Sequence, residues 1–270
     1  MVDDLVVAAE SAEAHALMSL VDGASPETTA RLRLTGTRIG GATVTSAPGA
    51  AQTFWTRVLG LGISEPVTGE LIGEIIRYYL AHGTGRTVFQ IAPSLLPPDW
   101  DAIRAEHGLT PGATWYKMAR PAAETPPPAT SLSISRVEPD EVAEAMAVLA
   151  TGFDWSVADM TGLMGGAITS GLADGYVARD GDTIVSSALL VVSEHGGAMY
   201  GAGTLPGFRG RGGQTALLAA RVSAAARAGC GTVFAETWVP GEGGRNPSFE
   251  NMRAGGFEVL YERPGWVWEA

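Results

Sequence analysis

GAGTLPGFRGRGGQTALL occupies residues 201–218 and joins a strand-like run to a helix-like one. The strand reading ends at Thr204-Leu205-Pro206. A run of glycines and arginines follows. Then QTALLAARVSAAARAG places Leu218, Val222 and Ala225 at helical spacing, with Arg221 and Arg227 expected to reach solvent and Gly229 suited to a C-terminal cap. Successive glycines allow several backbone N–H groups to turn toward one point, and the helix N-terminus adds its positive dipole end. Two arginines, Arg209 and Arg211, stand beside them. Amides and guanidinium groups together suit a pyrophosphate. The loop lacks the Lys of a nucleotide P-loop. Gly201-x-Gly203 lies inside the strand after an antiparallel meander, which argues against a dinucleotide-binding βαβ unit.

Upstream, Leu132–Ile134 reads as a short strand. Pro139 opens a helix through Leu149, with Glu138, Asp140 and Glu141 at its positive end. Asp180-Gly181-Asp182 and His195-Gly196-Gly197 are turns between strand-like runs, the second leading into a strand over Ala198–Thr204. Downstream, Thr232–Trp238 is a β-branched and aromatic strand and Pro247–Ala254 a short helix. Val259–Arg263 and Trp266–Glu269 read as closing strands.

The clearest break is ARPAAETPPPATS, residues 119–131, whose three successive prolines favour an extended polyproline conformation. It separates a first half (1–122), a Pro-rich linker (123–130) and a second half (131–270). The first half reads as strands at Thr37–Ser46 and Gln52–Leu59 with a Pro48-Gly49 turn between them. A helix at Thr68–His82, a strand at Thr87–Ile91, a helix at Pro98–His107 and a strand at Thr114–Met118 follow. TVFQIA from Thr87 pairs with TVFAET from Thr232, and both are flanked by helices with similar spacing, so an internal duplication is inferred. The fold class expected is α+β, a mixed but mostly antiparallel sheet arrangement flanked by helices, in two tandem domains.

The formal net charge is 18 − 29 = −11, so neither nucleic acid nor an anionic membrane is an expected partner. Cys230 is the single cysteine; no intramolecular disulfide can form, and a cytoplasmic protein is expected. No signal-peptide pattern and no run of 18 apolar residues is present. The four histidines are spread without metal-ligand spacing, so no metal is expected.

The second half resembles the GNAT (Gcn5-related N-acetyltransferase) superfamily. Arg209-Gly210-Arg211-Gly212-Gly213-Gln214, three residues past Pro206, is similar to the family's Gln/Arg-x-x-Gly-x-Gly/Ala loop, with Gln214 in place of the last small residue. NPSFENMRAGGF is similar to its second CoA-contacting region. The resemblance implies acetyl-CoA as cosubstrate, held by the loop and Thr215, with Ala202, Gly203 and Thr204 offering main-chain groups to the pantetheine arm where neighbouring strands splay. It also implies that Asn246 and Asn251 contact the pantetheine or the departing sulfur. The implied activity is acetyl transfer to a primary amine of a small molecule, amino acid or peptide. The alternatives are a non-catalytic acyl-CoA sensor and transfer of a longer acyl group. An amine must lose a proton before attack. Glu236, which strand alternation places on one face with Phe234 and Trp238, is the candidate base, ahead of Glu194. Where many family members carry a Tyr acid, this chain has Met252; Tyr200 and Tyr261 are the remaining phenols considered. The first-half counterpart of the loop, GLGISEPVTGELIGE, has no arginine and carries Glu65, Glu70 and Pro66. That half is expected to have lost the cofactor site and to help wall the acceptor cleft. Glu65, Glu70 and Glu74 are read as a solvated helix start. Monomer and homodimer are both compatible with the sequence.

Overall fold

The computed structural model describes residues 3–270. The first half runs α1 (Asp4–Asp22), α2 (Pro26–Leu32), β1 (Thr35–Ile39), β2 (Ala42–Ser46), β3 (Arg57–Leu59), α3 (Gly69–Ala81), β4 (Arg86–Gln90), α4 (Trp100–Glu106) and β5 (Thr110–Pro121). After 122–132 come β6 (Ser133–Arg136), α5 (Val142–Phe153), α6 (Val157–Met160), α7 (Gly166–Thr169), β7 (Asp174–Asp180), β8 (Thr183–Ser193) and β9 (Gly196–Thr204). The chain closes with α8 (Gly213–Arg227), β10 (Thr232–Trp238), α9 (Pro247–Ala254) and β11 (Glu258–Glu269). From α1 and from α5 onward the two halves repeat one order of elements: helices, three strands, helix, strand, helix, strand.

Local chemistry sets the ends of these elements. The Thr68 side chain accepts from the Leu71 amide at the start of α3, and Asn246 accepts from Phe249 at the start of α9. Thr37–Ser46 is not one strand: a hairpin turns within it at Gly40-Gly41, both at positive φ, while the turn at Pro48-Gly49 follows β2, closed by the Ala50 amide donating to the Ala47 carbonyl at 2.9 Å. A two-residue loop of that kind matches the strand twist, and Pro48 presets the backbone angle of the second turn. Within Gln52–Leu59, residues 53–55 form a single helical turn and only Arg57–Leu59 are strand. Val259–Arg263 and Trp266–Glu269 belong to one strand, kinked by register shifts between Val259 and Tyr261 and between Pro264 and Trp266.

The halves do not form separate sheets. Eleven strands make one sheet in the order β1-β2-β3-β4-β11-β5-β10-β9-β8-β7-β6. The last strand of each half sits in the other: β5 pairs antiparallel with β10 from Thr232↔Pro121 to Trp238↔Trp115, and β11 pairs with β4 from Gly265↔Gln90 to Glu269↔Arg86. At the centre β5 and β11 pair with each other. This reciprocal exchange leaves the edges of β4 and β10 covered by strands from the opposite half.

Helices cover both faces. On one face α1 and α5 pack their Leu20, Met146 and Leu149 with Leu189, Ala198 and Phe234 of the sheet. On the other, Leu217, Leu218 and Val222 of α8 meet Leu190, Met199 and Val233, and Ile72, Ile75 and Tyr79 of α3 meet Val44, Val58 and Phe89. Each such fully buried aliphatic side chain contributes roughly 1.5–3 kcal/mol relative to exposure. The matching Thr-Val-Phe triplets are therefore not in the same register. Phe89 packs with the α3 cluster, whereas Phe234 packs with the α5 cluster on the opposite face. A one-residue shift along a strand exchanges faces in this way.

Candidate active site

β9 and β10 run parallel but pair only at Val233↔Gly197 and Phe234↔Ala198. Beyond Ala198 they diverge, and the β10-facing edge of β9 is left open. A bulge accompanies the divergence: Ala202 opposes Ala188 and Tyr200 opposes Leu189, leaving Gly201 as the extra residue at φ 51°. That left-handed conformation is one glycine adopts without steric cost. Arg221 of α8 reaches the distorted segment, donating to the Leu189 carbonyl at 2.9 Å and the Gly201 carbonyl at 3.5 Å. It is therefore buried and not at the surface as helical spacing implied. Burial without a carboxylate partner pulls its guanidinium down to about 10.

The opening is a cavity of about 320 Å³ that passes through the sheet. Toward α8 and α9 it is lined by Gln214, Leu218, Arg221, Ser248 and Met252, and toward α5 by Phe153, Trp155, Tyr200 and Glu236. Phe54 and Trp115 of the first half complete the second side. In the first half β3 and β4 also pair at two positions only, Arg57↔Val88 and Val58↔Phe89. There Leu61, Ile91 and Leu95, which follow the two strands, are buried in the α3 cluster.

The loop leading into α8 lies next to the cavity. Gly210 and Gly212 have φ of 78° and 83°, and Gly212 starts α8 without any side-chain cap. The first amides of α8 are thus left to a ligand or to water. Gly213 is buried, and a Cβ there would stand 2.6 Å from Ser186 Oγ, so a larger residue would force the Ser186 side chain to move. Arg209 is exposed and makes no side-chain hydrogen bond or ion pair among the described residues. Arg211 is engaged by both oxygens of Asp180, at 2.7 and 2.9 Å. Gln214 accepts from Asn251 at 2.7 Å, which turns its side chain toward α9 and away from the loop amides. Thr215 is half-buried in the first turn of α8. Ala202 lines the cavity, Gly203 packs against Leu149 of α5, and Thr204 bonds Ser186 at 2.9 Å.

Asn246 is buried with its polar atoms in use: it caps α9 and donates to Thr237 Oγ1 at 2.9 Å and to the Trp238 carbonyl at 2.6 Å. The structure gives it a capping role rather than an open ligand-binding one. Asn251 likewise spends its amide on Gln214.

Glu236 lies in the cavity wall with its side chain 12% exposed, on the face carrying Phe234 and Trp238. It is the edge of a buried ionic cluster that the sequence reading missed. Arg57 Nη1 donates to it at 3.1 Å and Arg263 Nη2 at 2.6 Å. Arg263 also pairs with Glu10 at 2.7 Å and Glu13 at 2.7 Å, and Lys117 pairs with Glu13. The cluster brings together α1, β3, β5, β10 and β11, hence both halves. Burial, then the nearby Glu13, raise the Glu236 carboxyl above its ordinary 4.5, even with the guanidinium groups opposing. Burial would raise Glu13 as well, but Arg263, Lys117 and Arg57 overcome it and hold that carboxyl below the usual range.

Tyr200 accepts from Arg57 Nη2 at 2.7 Å, and burial pushes its phenol far up. Tyr261 donates to Glu10 and does not line the cavity. Glu194 is almost fully exposed. Glu65, Glu70 and Glu74 are exposed around the start of α3. Cys230 is half-buried, and burial raises its thiol. Among the described residues no cluster of His, Cys, Asp and Glu could hold a metal, and no helix is long and apolar enough to cross a membrane.

No family model matches the sequence, and no curated protein is detectably similar to it. Solved structures are similar in fold. A GCN5-related N-acetyltransferase from Kribbella flavida superposes with a TM-score of 0.64 at 15% identity, covering 97% of this chain and 95% of that one. The fold is that of the GNAT acetyltransferases. A second GNAT structure, from Sphaerobacter thermophilus, gives 0.58 at 18% identity over 84% of this chain and 80% of that one. A tandem GNAT protein from the clavulanic acid biosynthesis pathway, solved without acetyl-CoA, gives 0.58 at 16% identity over 84% and 78%.

Proposed function

We propose that the chain is an acetyl-CoA-dependent N-acetyltransferase acting on a primary amine. The observation that carries this reading is the cavity at the β9–β10 divergence, which opens beside the uncapped N-terminus of α8. The loop fits an anionic pyrophosphate: Gly210 and Gly212 turn the chain into α8, whose first amides have no side-chain cap, and Arg209 has no competing partner among the described residues. Arg211 takes part by leaving Asp180 or by adding its charge from where it stands.

Acetyl-CoA supplies an activated acyl carbon. The open edge of β9 from Met199 to Thr204 supports the pantetheine arm as a strand partner would. Glu236 faces the acceptor side of the cavity and takes the proton an ammonium must lose before its nitrogen can attack. The nitrogen forms the amide bond as the carbon–sulfur bond breaks, and the thiolate takes up a proton. Met252 cannot deliver that proton; Tyr200, which lines the cavity and accepts from Arg57, keeps its own O–H proton, so this phenol or water is the source.

A non-catalytic acyl-CoA-binding role is the second reading, favoured by the two guanidinium groups that bind Glu236. A thiol-release assay with acetyl-CoA separates the two. Amine-dependent CoA formation over a broad amine panel supports the transferase; binding of acetyl-CoA with no release for any amine supports the sensor.

A further inference from the structure

The acceptor side of the cavity is chemically uneven. Six aromatic side chains border it: Phe54 and Trp115 from the first half, and Phe153, Trp155, Tyr200 and Trp238 from the second. Four form a contiguous wall, with ring centroids 5.2 Å apart for Phe153–Trp155, 5.0 Å for Phe54–Trp155 and 6.2 Å for Phe54–Tyr200. Trp115 and Trp238 are directly paired across β5 and β10. Phe153 is 41% exposed and Trp238 44%, so both present apolar surface to water at the mouth. Asp154 holds the chain between Phe153 and Trp155 at φ 56°, an uncommon conformation for a non-glycine residue, and the two rings flank it.

Polar groups are sparse on this side. Glu236 is the one carboxylate in the lining, and Arg57 and Arg263 already compensate its charge. The Tyr200 hydroxyl, held by Arg57, is the other polar group on this side, whereas Gln214, Arg221, Thr237 and Ser248 belong to the face of α8 and α9. An amino sugar, a polyamine or an amino acid would bring hydroxyls, a second ammonium or a carboxylate into a chamber whose polar partners on this side are few (Glu236, the Tyr200 hydroxyl and indole N–H groups), and each group left unpaired weakens binding. A flat apolar body would instead stack against the rings and cover the exposed Phe153 and Trp238.

Resting on the transferase reading above, we infer that the acceptor is a primary amine carried on an aromatic or similarly flat apolar skeleton, with the amine directed to Glu236. The first half then sets acceptor specificity through Phe54 and Trp115.

The test uses the full chain with acetyl-CoA and four probes: 2-phenylethylamine, putrescine, glucosamine and glycinamide. The expected result is a kcat/KM for 2-phenylethylamine at least tenfold above each of the others. Phe153→Ala, at an exposed position, should raise KM for 2-phenylethylamine fivefold or more while leaving the dissociation constant for acetyl-CoA unchanged. Preference for any polar probe, or an unchanged KM in the Phe153→Ala chain, overturns the inference and leaves the transferase reading standing. Absence of acetyl-CoA binding by the intact chain would overturn the transferase reading itself, and this inference with it.

Discussion

Replacing Arg57 with methionine removes a first-half cation that supports Glu236 and Tyr200 in the cavity wall. Its guanidinium donates to Glu236 at 3.1 Å, to Gln90 at 2.9 Å and to the Tyr200 hydroxyl at 2.7 Å, and lies 4.2 Å from the centre of the Phe54 ring. Methionine keeps much of the length and apolar contact but leaves those acceptors unpaired. Breaking a buried ion pair by removing one partner costs about 3–5 kcal/mol. With a urea slope of about 3 kcal/mol/M, that loss lowers the unfolding midpoint by about 1–1.7 M. The double variant Arg57→Met/Glu236→Gln should be less destabilised than the sum of the singles by about 1.5 kcal/mol or more, as expected of residues in one network. Urea unfolding followed by tryptophan fluorescence and circular dichroism gives both numbers. A midpoint shift below about 0.3 M for Arg57→Met, or additivity of the two substitutions, would refute the bridging role given to Arg57.

Three further outcomes follow from the site. Glu236 must be ionised to accept a proton and its carboxyl sits above 4.5, so kcat/KM should fall on the acid side with an apparent pKa above that value; Glu236→Gln should lose the limb together with most of the activity. The same shift has a stability sign: between 4.5 and the raised value the folded chain holds more proton at this group than the unfolded chain, so its contribution to stability declines as pH rises through that window, and Glu236→Gln should flatten the decline. Arg209 is exposed and without protein partners, so Arg209→Glu should leave the melting temperature of the free chain unchanged. Loss of one or two charge-assisted hydrogen bonds at about 1.5–3 kcal/mol should weaken acetyl-CoA binding at least about tenfold and remove its effect on melting.

The legibility of the sequence varied with how local the cause was. The loop at Arg209–Gln214 could be read because glycine conformation and helix polarity act within a few residues. The face of Glu236 could be read because strand alternation is equally local. Arg57, Lys117 and Arg263 could not, because their partners come from α1 and from strands far away in the chain. The available signal was the oddity of single charges inside the apolar runs FWTRVLGL and ATWYKMA. Arg221 was misjudged for a related reason: helical spacing does not reveal the bulge at Gly201 whose carbonyl it approaches. The exchange of β5 and β11 between halves is likewise invisible to periodicity, which specifies a strand but not its neighbour. The Thr-Val-Phe repeat marked the right pair of strands, β4 and β10, but the residues face opposite sides.

In the proposed transferase the α8 loop forms the one acyl-CoA site; at the equivalent two-residue pairing of β3 with β4, Leu61, Ile91 and Leu95 are buried in the α3 cluster. Isothermal titration of the intact chain with acetyl-CoA measures this directly. Saturable binding at one molecule per chain is expected; a stoichiometry of two, or no heat of binding at millimolar acetyl-CoA, would contradict a single site in the α8 loop.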